Sequence, residues 1–244
     1  HPRGGRRGAR RRSAAARRLN REHTMDELTL VIGNKNYSSW SLRPWLLLKQ
    51  AGIPFTERYI PLYIGDWRER VLKHSPAGKV PALQHGAIKT WDSLAICEYL
   101  AERFPEKQLW PADPVARAEA RAVSAEMHSG FQALRQNMFM NIRRRMPTRG
   151  RTPEVAADIE RITSIWNDCR RRYAAGGPFL FGRFSIADAM YAPVALRFQT
   201  YVVPVDGAAG EYMRTLLALP ALQEWVAVAH AEKESISHYE PADA

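Results

Sequence analysis

The chain is short of cysteine, with Cys97 and Cys169 the only two in 244 residues. Both sit in helix-patterned stretches far apart, which excludes a disulfide framework and a C-x-x-C redox pair and suits a reducing compartment. No apolar run approaches the roughly 20 residues that span a bilayer, so no membrane partner is expected. The seven histidines show no H-E-x-x-H or comparable ligand spacing, so no metal is expected. Acids are also scarce, 25 against 36 lysines and arginines, for a net charge of +11. That excess is local. Residues 1–24 hold nine arginines and one acid, a net +8, which leaves the rest near neutral at +3. The arm has almost no large apolar side chains and is expected to be disordered. It reads as a tail for an anionic surface, as an organelle transit segment, or as extra sequence ahead of a start at Met25. The last is favoured, because patterned sequence begins three residues later. Nothing downstream builds a basic groove with interleaved aromatics, so nucleic acid is not an expected partner.

What remains is ordinary globular sequence, 45% hydrophobic and 25% charged. Residues 28–33, apolar and closed by Gly33, read as a buried strand, and residues 45–52 as a helix stopped by Gly52 and Pro54. Alternation at 55–60 gives a second strand, 66–73 a short helix, and 80–84 with 87–90 a hairpin around His85-Gly86. Asp92-Ser93 opens a helix that ends before Pro105. This β-α-β-α-β-β-α order suits a small α/β layer domain over 25–107. A proline-marked linker, 108–117, leads to an all-helical domain over 118–240. Its helices are expected at 115–145, 153–173, 185–198, near 212–219 and at 222–232. The apolar stripe of Met127, Phe131, Met138 and Phe139 reads first as core.

The informative stretch is Tyr37-Ser38-Ser39-Trp40-Ser41-Leu42-Arg43-Pro44, between the first strand and helix. Pro44 is acceptable in a first helical turn, so the serines are expected in a β–α loop at the positive end of a helix. Such a place favours an anion or a developing thiolate, although a serine there also caps helices. Val80-Pro81 at a strand mouth could offer the Val80 backbone to an extended peptide if the bond is cis. At Asp92-Ser93, the Ser93 N–H and hydroxyl can take a carboxylate while Asp92 meets an ammonium; the simpler alternative is capping. Ser185-Ile186-Ala187-Asp188 reads as a capping box.

In their order and separation, the serine loop, Ser75-Pro76-Ala77-Gly78-Lys79-Val80-Pro81-Ala82-Leu83, Asp92-Ser93-Leu94-Ala95-Ile96-Cys97-Glu98-Tyr99-Leu100 and Phe184-Ser185-Ile186-Ala187-Asp188 resemble the cytosolic glutathione transferase family. The likeness covers residues 28 to about 235. It implies a thioredoxin-like N-terminal domain that holds glutathione, an all-α C-terminal domain that shapes an electrophile pocket, a homodimer and a cytoplasmic, detoxifying enzyme. The serine pattern looks most like the zeta class, which includes maleylacetoacetate isomerases. By that likeness Ser38 activates the thiol, with Ser39 and Arg43 in support. Lys79, Val80 and Pro81 meet the glutathione backbone, and Asp92 with Ser93 holds its γ-glutamyl end. Trp40 stands where zeta enzymes carry cysteine, which leaves no thiol in the loop for omega-type chemistry, and Asp92 stands where they carry glutamine. Conjugation of glutathione to a small hydrophobic electrophile is the expected activity. The alternatives are isomerisation of an acidic diene, with Arg43 or one of Arg143, Arg144 and Arg145 on a carboxylate, and a non-catalytic binding module. Position alone suggests Met127, Phe131, Phe198 and Tyr201 for the electrophile pocket.

Overall fold

The computed structural model describes residues 27–240. The basic arm expected over 1–24 lies outside them. The strands β1 (Leu28–Ile32), β2 (Thr56–Tyr59), β3 (Ala82–His85) and β4 (Ile88–Trp91) form one sheet in the order β2-β1-β3-β4. β1 runs parallel to β2 and antiparallel to β3, which pairs antiparallel with β4. Period-2 alternation makes β1 two-sided. Leu28, Leu30 and Ile32 enter the main core, while Val31 joins Ile60, Val71 and Ala82 in a smaller cluster. Helices α1 (Ser39–Ala51) and α3 (Ser93–Arg103) contribute to the main core, and α2 (Trp67–Leu72) supplies Val71 to the smaller one.

The helical half comprises α4 (Pro114–Ser129), α5 (Gln132–Asn137), α6 (Pro153–Tyr173), α7 (Ile186–Thr200), α8 (Gly207–Leu217) and α9 (Pro220–Ala231). α7 is buried on every side, with Gln199 its one residue outside the buried set. A helix apolar all round belongs at the centre of a core. The capping box opens it: Asp188 Oδ2 accepts from the Ser185 N–H at 2.8 Å and the Ser185 hydroxyl at 3.2 Å. Its Tyr191 and Phe198 pack with Trp166 of α6, which also meets Tyr212 of α8, in the same cluster that holds Trp45 and Leu47 of α1, so the two halves share one core.

Two expectations need correction. The first helix begins at Ser39, not near Trp45, with Ser38 as its N-cap, so Ser39, Ser41 and Arg43 lie inside it and Pro44 sits beyond the first turn. The capping bond, Ser41 N–H to Ser38 Oγ at 3.3 Å, starts the helix early. The long helix expected at 115–145 is broken. Gly130 closes α4, Phe131 takes φ 57°, α5 is six residues, and no helix follows until α6. The apolar period there was real but belonged to burial of another kind, because Phe131, Met138, Met140 and Met146 are buried from irregular backbone. Asn36 anchors that segment. Its Nδ2 donates to Asn141 Oδ1 at 3.0 Å, and its Oδ1 accepts from the Arg143 N–H at 2.9 Å.

Candidate functional site

Between the halves lies a cavity of about 600 Å³, within the ~300–1,000 Å³ range of small-molecule sites. Tyr37, Ser38 and Trp40 line it from the start of α1, Leu62, Tyr63 and Trp67 from the β2–α2 region, and residues 77–81 from the approach to β3. Trp91, Asp92 and Ser93 add the entrance to α3, and Ile236 and Tyr239 the C-terminal segment. Of the residues expected from sequence, Ser38, Lys79, Val80, Pro81, Asp92 and Ser93 therefore meet at one place. The Val80–Pro81 bond is cis. A larger groove, about 800 Å³, runs along the outer face of α3 and the following linker and contains none of them.

Ser39 and Arg43 lie behind the cavity wall. Ser39 Oγ accepts from Arg197 Nη2 at 3.3 Å, and Arg43 Nη1 donates to Ser93 Oγ at 3.2 Å. Met127, Phe131, Phe198 and Tyr201 do not line the cavity; all four are buried in the core. Position in sequence put them near a pocket, but their side chains pack inward. The apolar wall comes instead from Tyr63, Trp67, Ile236 and Tyr239, which the sequence reading missed. The aromatics at 63 and 67 beside a short helix, Tyr63 exposed and Trp67 half-buried, were a signal. Residues 232–240 gave none, because only long-range bonds bring them here. Glu232 accepts from the Lys35 and Asn36 N–H groups at 2.6 and 3.0 Å, and Tyr239 stacks on Tyr37 at 5.7 Å between ring centroids.

The hydroxyls near the loop differ in what they have left to offer. Tyr37 donates to the Glu240 carboxylate and accepts from Arg143 Nη2 at 2.8 Å, so its hydroxyl is committed to the C-terminal segment. Ser38 Oγ lies 2.7 Å from Ser41 Oγ, which accepts from the Gly33 N–H at 3.1 Å. A hydroxyl rotates to suit its partners. Here Ser38 donates to Ser41; rotation of both hydroxyls, with Ser41 then donating back, turns the Ser38 proton toward a ligand in the cavity.

The electrostatics behind the wall are one-sided. Arg43 and Arg197 are buried; burial and mutual repulsion with Arg135 bring Arg43 down to about 9, and burial with the same neighbour brings Arg197 to about 10. Both stay charged at neutral pH. Trp40 contacts two of the three cations, with the Arg43 guanidinium 4.3 Å and that of Arg135 4.9 Å from its ring. The cavity thus has buried positive charge behind it and a helix N-terminus at Ser38, both favourable to an anion. The Cys97 and Cys169 thiols are pushed up by burial, Cys169 to about 12, and act as apolar packing. Among the described residues, no group of three His, Cys, Asp or Glu side chains is placed to hold a metal ion.

Residues 37–103 match the family model for the glutathione S-transferase N-terminal domain, and residues 152–227 match that for its C-terminal domain. Maleylacetoacetate isomerase of Rattus norvegicus is 31% identical over 189 residues, which cover 75% of this chain and 79% of that protein. The chain belongs to the glutathione S-transferase family. This family member is also 36% identical, over 96 residues, to a probable maleylacetoacetate isomerase of Caenorhabditis elegans, a match that covers 39% of the chain and less than half, 44%, of that relative. A glutathione transferase homolog from Burkholderia, solved with bound glutathione, superposes with a TM-score of 0.63 at 26% identity over 85% of this chain and 99% of that one. The architecture is accordingly that of a glutathione transferase, a four-stranded mixed sheet with helices followed by a helical half.

Proposed function

We propose that this chain is a glutathione transferase that adds glutathione thiolate to a small hydrophobic electrophile, with the Ser38 hydroxyl holding the thiolate. One observation carries the reading: Ser38 brings to the cavity a hydroxyl whose one acceptor, Ser41, is itself a rotatable hydroxyl, whereas the hydroxyl of Tyr37 is tied to Glu240 and that of Ser39 lies behind the wall on Arg197. A free cysteine thiol has a pKa near ~8.5, and lowering it by ~2 units requires about 2.7 kcal/mol of preference for the anion. A helix N-terminus supplies ~0.3–1 kcal/mol, and a hydrogen bond to a charged acceptor adds ~1.5–3. The buried charges of Arg43 and Arg197 act in the same direction. Together these suffice.

In this reading glutathione lies extended across the cavity. Its γ-glutamyl carboxylate meets the Ser93 N–H and hydroxyl, its ammonium meets Asp92, and its cysteinyl backbone runs beside Lys79, Val80 and Pro81. The electrophile then faces Tyr63, Trp67, Ile236 and Tyr239, a wall of aromatic and aliphatic carbon. The homodimer is part of the proposal. Ile88 on β4, 48% exposed on the same strand as the groove-lining Thr90, supports a subunit contact there.

A second reading, glutathione-dependent cis–trans isomerisation of an acidic diene, is favoured by the names of the rat and nematode relatives. The cavity offers it little: Arg143 is engaged by the Glu232 and Glu234 carbonyls, which leaves Lys79 as the cation on the wall. Paired assays with an aryl halide and with maleylacetoacetate separate the two. Turnover of the halide that falls about 100-fold in Ser38→Ala, with glutathione binding retained, is the expected result. Faster turnover of maleylacetoacetate than of any aryl electrophile would favour isomerisation, and no glutathione binding at all would leave a non-catalytic module.

A further inference from the structure

Asp92 is held more tightly than a helix cap requires. It takes φ 77°, a backbone region that favours glycine, and its Oδ1 accepts from the Leu94 and Ala95 N–H groups at 3.0 and 3.1 Å. Those two bonds cap α3. The second oxygen, Oδ2, lies 3.0 Å from Nε2 of His128, which comes from the end of α4 in the helical half. His128 Nδ1 is buried without a hydrogen-bond partner, so the ring's proton belongs on Nε2, where it is donated to Asp92. The ring stands edge-on to Trp40 at 5.4 Å, and Arg135 Nη2 holds the His128 carbonyl at 2.8 Å, so its placement is fixed from both sides.

We infer that His128 is a positioning residue for amine recognition, fixing the Asp92 carboxylate that faces the cavity while leaving its charge intact. The inference rests on the proposed placing of the γ-glutamyl end at Asp92 and Ser93. The charged groups around the imidazole are Asp92 from the start of α3, Arg43 from α1 and Arg135 from α5. Burial and the two guanidiniums hold His128 below its ordinary range, against the pull of Asp92. A neutral imidazole donates a hydrogen bond without cancelling the carboxylate, so the ligand ammonium meets a full negative charge. An imidazolium would compete for the same oxygen. Arg43 braces Ser93 in parallel, so the two residues of the pair are each held by a side chain that does not itself line the cavity.

Calorimetric titration of the full chain, His128→Ala and His128→Gln with two peptides tests this. One is glutathione. The other is glutaryl-cysteinylglycine, the same tripeptide lacking the α-ammonium. His128→Ala should lose about tenfold in affinity for glutathione, and little for the glutaryl peptide. His128→Gln, whose amide can reach Oδ2, should restore most of the loss. In steady-state assays the KM for glutathione should rise with kcat nearly unchanged. Equal weakening of both peptides would make His128 merely structural and overturn the inference, as would an unchanged preference in His128→Ala. A wild-type chain that binds neither peptide would instead overturn the site assignment on which the inference stands.

Discussion

Ser41 matters as the partner of the Ser38 hydroxyl. It is fully buried, accepts from Gly33 and lies within a hydrogen bond of Ser38, so Ser41→Ala should weaken both structure and chemistry. Stranding the buried Gly33 N–H costs ~1–3 kcal/mol, measurable by urea denaturation. The bound thiol should also become less acidic than in the wild type, yet more acidic than in Ser38→Ala. Asp188 offers a separate test by pH. Burial raises its carboxyl from 3.8 to about 6 despite four hydrogen bonds, from Leu180, Ser185 (two) and Tyr212. A raised carboxyl favours the protonated form in the folded state, so its stabilising contribution is complete below about pH 4 and is lost as pH rises through about 6. Relative to Asp188→Asn, wild-type stability should therefore fall by about 3 kcal/mol across that window. At this scale the sequence was legible where function is local. Ser38, Val80, Asp92 and Ser93 stand in short motifs at element boundaries. Ile236 and Tyr239 reach the cavity, and His128 reaches Asp92, through contacts distant in sequence, which no spacing encodes.

Elements were read well wherever punctuation and period agreed. α6 occupies Pro153–Tyr173 as expected, because Thr152 caps it, accepting from the Val155 N–H at 3.2 Å, and its apolar stripe is regular. The β3–β4 hairpin followed from alternation and the turn signal at His85-Gly86. The failure between 115 and 145 has a physical cause. Periodicity counts buried positions and cannot tell a helix stripe from irregular backbone that buries Met138, Met140 and Met146. Gly130 was the available clue. A Cβ there would lie 2.7 Å from the Glu126 carbonyl oxygen, so Gly130→Ala must displace the end of α4. The expected cost is ~1–3 kcal/mol, seen as a Tm lower by several degrees. An unchanged Tm would mean that α4 runs on without strain.

The whole molecule works by bringing two halves to one cavity over a shared core. The sheet half supplies Ser38, Val80, Asp92 and Ser93; the helical half supplies the buried Arg135 and Arg197, His128 and the returning segment with Ile236 and Tyr239. This division explains why short loop motifs pointed to the cavity wall around Ser38, Val80, Asp92 and Ser93, while Ile236 and Tyr239 escaped: the first lie at element boundaries, the second arrive only in the assembled chain. A homodimer should appear in light scattering as twice the 27.8 kDa chain mass, and a charge substitution at Ile88 should halve it. The most direct test of the central claim is ultraviolet difference titration of bound glutathione across pH, comparing the wild type with Ser38→Ala. The account predicts thiolate absorbance appearing about 2 pH units below the free thiol, and in the variant a return toward the free value with binding retained. Saturable binding with the same low thiol pKa in both proteins would contradict it.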